Sequence, residues 1–560
     1  PVTAAMRTRS SEGREAFRSA RRPRRLLIAL LTAVGGVLLA APSVASAHAV
    51  LLYSSPAASS VLPESPDRIE LGFNESVDAK LSEIRLFDAE QRELEISRTT
   101  AAPNNASVIR ADIPTLKDGT YVVVWRVTSA DGHPVNGAFP FEIGTVSSGK
   151  GADLVDKVVA AAQRTSPLGP ALSIGKFLGF LGFVLLAGVM LFTFGTQLLG
   201  SRRALLTALT GLVQLLVGSL TVLLLQGAYV TGGGWGDIGK WSLVNEVMRT
   251  RVGGAIITRI VLVLLWVLVV RSLRTSQWTS VTSLVVWLLT VLMAVTFSVS
   301  GHPSADTLTG IFVPVDIAHL VGIAVWVGGL FSIVLLRREV DGNDLVAPAI
   351  ARFSRNATWA MPLVIITGVA QTLHLTDGVS TLVDSGYGRF IIAKLGLVIV
   401  AVVLGTRARR SLAARGTASI LSLVRVEAAI ALVVLALSAA LVSTSPNASN
   451  QQVPTFTASL AQRNIIAEIT ISPARVGESE IHALFSPPGG AITPVKAVKV
   501  RMELPAKNVP AIPVEMIQLG ANHWSGVVQF PYSGDWTVEV LVTPDDNAQV
   551  RYSTVVSVRG

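Results

Sequence analysis

The stretch Ala45-Ser46-Ala47-His48-Ala49-Val50 decides how the chain is laid out, because the sequence differs in kind on its two sides. Four arginines within residues 21–25 and the apolar run of residues 26–40 precede it. A basic lead, an apolar run and small residues at an A-x-A spacing are typical of a secretory signal peptide. The sequence therefore predicts that residues 1–47 are a signal peptide and that His48 becomes a free N-terminus.

A histidine at a free N-terminus has two nitrogens, the α-amine and imidazole Nδ1, that can close a chelate ring on one metal ion. Taken alone, His48 is equally well explained as the first ordered residue after a leader. The rest of the chain has to decide between these interpretations.

The composition is that of a membrane protein, since 50% of the 560 residues are hydrophobic and only 15% are charged. The net charge of +10 does not predict nucleic-acid binding, because the basic residues concentrate in the leader and in short loops between apolar runs. The chain has no cysteine, which excludes disulfides, thiolate zinc sites and iron–sulfur clusters. Any metal must be held by His, Asp, Glu, Met or main-chain groups.

Two soluble β domains flank the apolar part of the chain. Residues 48–145 predict a β-sandwich, with alternating strands such as 68–73 and a strong strand at 120–127. Residues 146–170 are interpreted as a linker. Residues 451–560 return to strand-like alternation and predict a second β-sandwich.

Residues 171–445 predict an eight-helix membrane domain, because eight apolar segments reach the length of about 20 residues that crosses a bilayer. These segments are residues 172–199, 204–230, 253–271, 280–300, 312–336, 357–375, 389–406 and 423–443. The loops after the first, third, fifth and seventh segments carry thirteen arginines, against four basic residues in the alternate loops. The positive-inside rule then predicts a multi-pass protein of the bacterial cytoplasmic membrane with both soluble domains outside.

One candidate metal site combines His48 with the motif Asp131-Gly132-His133-Pro134. An Asp and a His two residues apart in an extended segment can point to the same side. With the amine and imidazole of His48 they would supply three nitrogens and one oxygen, a set that favours Cu(II). Taken alone, the motif is also a common turn.

The sequence of residues 48–144 resembles the copper-binding CopC family. The resemblance rests on His48-Ala49-Val50-Leu51, Leu71-Gly72-Phe73-Asn74-Glu75 and Asp131-Gly132-His133-Pro134-Val135-Asn136-Gly137. It implies a Cu(II) site formed by His48, Asp131 and His133. The methionine-rich Cu(I) site of some members is not expected here.

The fifth apolar segment carries Asp316 and His319, which are neighbours on one helix face at spacing i, i+3. Ionisable groups inside a membrane usually face a pathway or a partner. The alternative is a structural hydrogen bond between helices. His302 and His374 fall at the outer ends of the fourth and sixth segments, and Gln371 adds to a polar stripe with His374.

These four residues, His302, Asp316, His319 and His374, are therefore candidates for a membrane copper route. The polar stripe is equally well explained by hydrogen bonding between helices. Arg259 and Lys394 are interpreted as charge partners of Asp316 or as anchors at helix ends.

Residues 172–443 resemble the CopD family of copper-resistance membrane proteins. The residues that carry this resemblance are Asp316-Ile317-Ala318-His319, Val325-Trp326-Val327-Gly328-Gly329-Leu330, Phe353-Ser354-Arg355, Thr367-Gly368, Tyr387-Gly388-Arg389, Ala393-Lys394-Leu395 and Arg425-Val426-Glu427-Ala428-Ala429. The tail resembles a YtkA/FixH-type β domain through Pro531-Tyr532-Ser533-Gly534-Asp535-Trp536. Its His482 and His523 are interpreted as isolated, ordinary surface or strand residues.

Together these observations predict a CopC–CopD fusion that captures Cu(II) outside the membrane and mediates copper transport, preferentially import. We expect no enzymatic activity, and the chain lacks a P-loop signature for ATP drive. The expected partners are copper ions, the lipid bilayer and an exported copper enzyme or chaperone. Two alternatives are a copper-delivery factor for such an enzyme without transport, and a haem protein with His302, His319 or His374 as axial ligands.

Overall fold

The structure is a computed structural model of the chain. It describes residue 158 and residues 49–144, 166–336, 346–442 and 456–558, apart from residues 50, 57, 59, 195, 276–277, 302, 304–307, 376–385, 416–420, 463–464, 473, 487–494, 521 and 546–547. The predicted signal peptide, His48, His302 and most of the predicted linker lie outside the described residues.

The described part of the N-terminal region contains nine strands in two sheets. They are β1 Leu51–Ser55, β2 Val61–Leu62, β3 Arg68–Phe73, β4 Glu83–Phe87, β5 Glu93–Leu94, β6 Thr100–Ala102, β7 Asn105–Asp112, β8 Gly119–Thr128 and β9 Pro134–Ile143. One sheet has the strand order β1-β3-β7-β6 and the other has the order β2-β9-β8-β4-β5.

These two sheets enclose one apolar core, because alternate residues of their strands face inward. Leu71 of the first sheet and Phe139 of the second are both buried there. The ring of Phe73 meets Trp125 edge-on across the core, with centroids 5.4 Å apart. The predicted N-terminal β-sandwich is confirmed.

Nine helices lie in the described residues between 167 and 442. They are α1 Gly169–Phe192, α2 Arg202–Val230, α3 Trp241–Arg249, α4 Arg251–Thr275, α5 Ser280–Val299, α6 Thr309–Leu335, α7 Val346–Leu375, α8 Gly386–Arg415 and α9 Leu421–Leu441. Helix α3 was not predicted from the sequence, and at nine residues it is too short to cross a bilayer.

The number of membrane spans differs from the prediction of eight. Among the described residues, seven helices are long and apolar enough to cross a membrane: α1, α2, α4, α5, α6, α8 and α9. The remaining predicted span, the sixth (residues 357–375), lies within α7, which has the length but carries Thr367, Gln371 and His374 among its apolar residues. These polar groups lower the hydropathy of the helix, and the cavity described below accounts for them.

The helices pack closely where small residues face each other. A Cβ atom on Gly188 of α1 would lie 2.3 Å from the Cα of Gly328 on α6, so the two backbones touch at this crossing. Small residues at helix interfaces allow this close approach inside membranes. Large apolar side chains such as Leu268 and Ile399 are exposed on this helical unit, as expected for a surface that faces lipid.

The C-terminal region is rich in sheet, as predicted. Its strands in the described residues are β10 Phe456–Gln462, β11 Ile465–Ser472, β12 Gly477–Ser486, β13 Ala497–Leu504, β14 Val509–Val514, β15 Met516–Gly520, β16 His523–Phe530, β17 Gly534–Asp545 and β18 Ala548–Val558. They form sheets of order β10-β11-β12-β16-β15 and β14-β13-β17-β18. Ile469 and Phe530 of the first sheet and Val540 of the second belong to one buried core.

The α1–α6 crossing predicts that alanine substitutions at two glycines change the thermal stability of the protein differently. Gly328→Ala should lower the thermal unfolding midpoint of the detergent-solubilised protein, because the new methyl group would overlap the Gly188 backbone. The control is Gly254→Ala on α4, where an added Cβ meets nothing within 4 Å. That control should keep or raise the midpoint, since Ala favours a helix over Gly by about 1 kcal/mol. Equal midpoints for the two variants would contradict this packing.

Candidate functional site

The Asp131-Gly132-His133 motif forms the tight connection between β8 and β9. The strand ladder reaches Thr128 paired with Pro134. The amide of Ser129 donates to the carbonyl of His133 at 2.9 Å, and Gly132 has a φ of +81°. A positive φ at this turn favours glycine, so the turn holds the two flanking side chains in a defined arrangement.

Asp131 and His133 face each other in this connection. Each residue is 4% exposed. Asp131 Oδ2 lies 3.0 Å from His133 Nδ1, and Asp131 Oδ1 accepts hydrogen bonds from Ser129 Oγ at 2.5 Å and from the His133 amide at 3.1 Å. The structure therefore brings together the two predicted metal ligands that it describes.

Their donor atoms suit a metal ion. Nitrogen and oxygen ligands lie about 2.0–2.2 Å from a first-row metal, so two adjacent ligands are about 3 Å apart. The 3.0 Å separation of Asp131 Oδ2 and His133 Nδ1 matches this spacing.

Glu75 is a further candidate that the sequence analysis did not assign. Both of its carboxylate oxygens are buried. Val77, two residues later, bridges to Ser129, which places this segment beside the Asp131 connection. The sequence signal was present, because Glu75 closes the Leu71–Glu75 motif that carries the resemblance.

The predicted third ligand of this site, His48, lies outside the described residues. Within them, no three His, Asp or Glu side chains are arranged to hold a metal ion. His48 is not described, whereas its neighbour Ala49 is fully buried in the sandwich core. Strand β1 pairs antiparallel with β3, and Leu51 lies opposite Phe73. Two residues further along, the same register leads to Ala49 on one strand and Glu75 on the other.

The second candidate site is a cavity of about 270 Å³ inside the helical bundle. Asp316, His319 and His374, three of the four predicted route residues, line it. His302 lies outside the described residues, although its neighbours Gly301 and Pro303 line the same cavity.

The hydrogen bonds of His319 define which ring nitrogen carries its proton. His319 Nδ1 lies 2.9 Å from Thr367 Oγ1, whose own hydroxyl donates to the Leu363 carbonyl at 2.6 Å. A hydroxyl has one hydrogen, so the Thr367 oxygen accepts and His319 Nδ1 donates. The neutral ring then carries its lone pair on Nε2, the form in which imidazole binds metals.

Asp316 is held by neighbours from two other helices. Gln371 Nε2 donates to Asp316 Oδ1 at 3.2 Å, and Lys394 is an electrostatic partner of Asp316. Lys394 is thus a charge partner, one of its two predicted roles. Arg259 instead donates to Thr296 at 3.0 Å and lies over the Phe297 ring, so it ties α4 to α5.

Glu427 is a second residue that the sequence analysis did not assign to the route. It is 2% exposed, lines the cavity and accepts a hydrogen bond from Trp326 Nε1 at 3.2 Å. An acidic residue within a predicted membrane span was the available signal, since such residues are rare and usually functional.

His482 and His523 of the C-terminal region are not isolated, which corrects the sequence interpretation. His482 Nδ1 lies 3.0 Å from His523 Nε2, and His482 Nε2 lies 3.3 Å from Glu480. The pairing of β12 with β16 places His482 opposite Ser525, and Ser525 donates to Glu480 at 2.9 Å. Only the register between strands far apart in sequence brings the two imidazoles together.

Comparisons with known families match three parts of the chain. The family described as CopC domain matches residues 51–144, and Copper resistance protein D matches residues 347–441. Copper resistance protein D-like, N-terminal domain, matches residues 167–311. One chain therefore carries a CopC domain together with copper resistance protein D domains. The predicted YtkA/FixH likeness of the tail stays a prediction.

Individual proteins are also similar to parts of this chain. Copper transport protein CutJ of Bacillus subtilis (strain 168) is 28% identical over 65% of this chain and 68% of its own length. Protein YobA of Escherichia coli (strain K12) is 34% identical over 22% of this chain and 98% of its own. The crystal structure of CopC from Methylosinus trichosporium OB3b is 29% identical, with a TM-score of 0.17, over 18% of this chain and 98% of that one.

The histidine pair predicts a pH dependence of stability. Burial and then His482 lower the pKa of His523 to about 4, against an opposing effect of Glu480. Because this folded-state pKa lies below the ordinary value of about 6.5, the unfolded chain binds more protons between these values. Stability should therefore fall as the pH falls through that window. His523→Gln removes the titrating ring, so its unfolding midpoint should drop less than the wild-type midpoint between pH 7 and pH 5. Equal drops would contradict the assignment.

Proposed function

We propose that this protein captures Cu(II) outside the cytoplasmic membrane and imports copper through its helical bundle. The observation that carries the proposal is the bundle cavity lined by Asp316, His319 and His374, in a chain that also has a CopC domain. A carboxylate and imidazoles inside a membrane domain are the groups expected along a cation pathway.

Capture is assigned to His48, Asp131 and His133. The carboxylate and imidazole of the last two lie 3.0 Å apart and are buried, so they are held ready for an ion. His48 would add its imidazole and, after cleavage of the leader, its α-amine. Such a nitrogen and oxygen set suits Cu(II) rather than Cu(I).

Passage is assigned to the cavity because its polar groups are of the right kind and already organised. Thr367 accepts a hydrogen bond from His319 Nδ1, so the lone pair of the imidazole is on Nε2. Gln371 donates a hydrogen bond to Asp316. Negative charge from Asp316 and Glu427 would offset the charge of a copper ion in the bundle. The distribution of loop arginines supports the proposal that both soluble domains lie outside, on the side from which import begins.

Copper capture is tested by electron paramagnetic resonance of the mature protein loaded with one equivalent of Cu(II). His133→Gln should remove the type-2 Cu(II) signal, because it removes one of the proposed ligands. The matched control, His482→Gln, should keep the signal. An extra residue before His48 should also weaken binding, because it displaces the α-amine. An unchanged signal in His133→Gln would refute the capture site.

Import is tested by the copper content of cells that express the full chain. Asp316→Asn combined with His319→Gln should reduce copper accumulation to near the level of cells without the protein, because the carboxylate and the imidazole that α6 contributes to the cavity are both changed. The control is Thr290→Val, a buried residue of α5 outside the residues that line the cavity.

Unchanged accumulation in the double variant would contradict import. If an exported copper enzyme then lost its metal, the protein would be a delivery factor instead.

A further inference from the structure

A second cavity, of about 40 Å³, continues the first one along helix α6. The larger cavity is lined along this helix from Phe312 to Leu330, and the smaller one from Trp326 to Ile333. Phe312 and Ile333 are 21 residues apart, which is about 32 Å of helix at 1.5 Å per residue. This length matches the roughly 30 Å of a bilayer's hydrocarbon core. The two cavities together therefore extend across the membrane domain.

Three side chains line both cavities: Trp326, Leu330 and Glu427. They are at most 6% exposed, so they fill the space where the cavities meet. Trp326 Nε1 donates to Glu427 Oε1 at 3.2 Å and thereby links α6 to α9 at this point.

The neighbouring backbone is shaped to hold the Glu427 carboxylate. A Cβ atom on Gly405 of α8 would lie 3.0 Å from Glu427 Oε1, closer than ordinary contact. A Cβ atom at this position would push the carboxylate aside by a few tenths of an ångström. Three helices thus converge on one acidic group midway between the cavities.

The smaller cavity differs from the larger one in its ligand chemistry. Met361 and Ser354 of α7 line it, whereas the residues that line the larger cavity include no methionine. A thioether is a soft ligand that copper accepts and that hard cations such as Mg²⁺ do not. A cation that leaves the Asp316 and His319 region would meet Glu427 next and Met361 after it.

We propose that Trp326, Leu330 and Glu427 form the internal gate of the bundle. Trp326 and Leu330 close the passage, and Glu427 is the carboxylate that transfers the cation from the larger to the smaller cavity. When the Trp326–Glu427 hydrogen bond opens, both cavities become continuous. This gate rests on the proposed transport function, but its closure can be measured without copper.

Because the chain has no cysteine, single cysteines can report which side of the membrane reaches each cavity. Ala431 lines only the larger cavity and Ala357 only the smaller one. In the full chain in oriented vesicles, a membrane-impermeant methanethiosulfonate should label Ala431→Cys from one side and Ala357→Cys from the other. Adding Trp326→Ala should let reagent from the Ala431 side label Ala357→Cys at least tenfold faster.

Two results would overturn the gate. One is labelling of Ala357→Cys from the Ala431 side while Trp326 is present. The other is that reagent from the Ala431 side labels Ala357→Cys no faster in the Trp326→Ala background than with Trp326 present. Labelling of Ala431→Cys in the Trp326→Ala background shows that the bundle is folded. If the bundle does not fold with Trp326→Ala, the variant Trp326→Leu, which keeps a large apolar side chain, is used instead.

Copper uptake tests the transfer role of the carboxylate. Glu427→Gln keeps an oxygen that accepts the Trp326 hydrogen bond but removes the charge. It should lower uptake at least tenfold while leaving the Cu(II) signal and the labelling pattern unchanged. Wild-type uptake rates in this variant would refute the transfer role. A wild-type protein that moves no copper would refute the proposed function, and the labelling results would still decide whether the gate is closed.

Discussion

The high free energy of an ionisable group in hydrocarbon is the constraint on which the membrane domain depends. Asp316, His319, Lys394 and Glu427 all belong to helices of the bundle, and every one of them lines the same cavity. Side chains from a different helix hold two of them in place: Thr367 bonds to His319 and Gln371 bonds to Asp316. The bundle is therefore arranged so that its polar groups face inward and its exposed surface is apolar.

Close helix packing makes this arrangement possible. The backbones of α1 and α6 touch at Gly188 and Gly328, in the part of α6 that follows Trp326. This tight crossing fixes the position of α6 along its axis and its rotation about that axis. The rotation then determines the directions of its polar and aromatic side chains. The polar face of α7 then meets α6, so that Gln371 reaches Asp316. The same polar residues lower the hydropathy of the stretch of α7 that was predicted to cross the membrane.

The capture site and the membrane cavity use the same chemistry in two different environments. In the β-sandwich, a turn of five residues holds Asp131 and His133 at metal-ligand spacing. In the bundle, the carboxylate and imidazole come from successive turns of one helix and are oriented by residues of another. A rigid turn suits firm binding of an ion, whereas groups spread along a cavity suit its passage from one to the next.

The sequence by itself determined the three-part architecture, the helical segments and the residue types of both sites. These features depend on short-range patterns: alternation in strands, apolar runs in helices and the Asp131-Gly132-His133 spacing. Only the tertiary structure decided which distant residues meet, such as Glu427 with Trp326 and His482 with His523. It also assigned different roles to the two basic residues, because Lys394 interacts electrostatically with Asp316, whereas Arg259 donates a hydrogen bond to Thr296. The reason is physical, because helix rotation and strand register are set by packing between segments far apart in the chain, and no local pattern encodes those contacts.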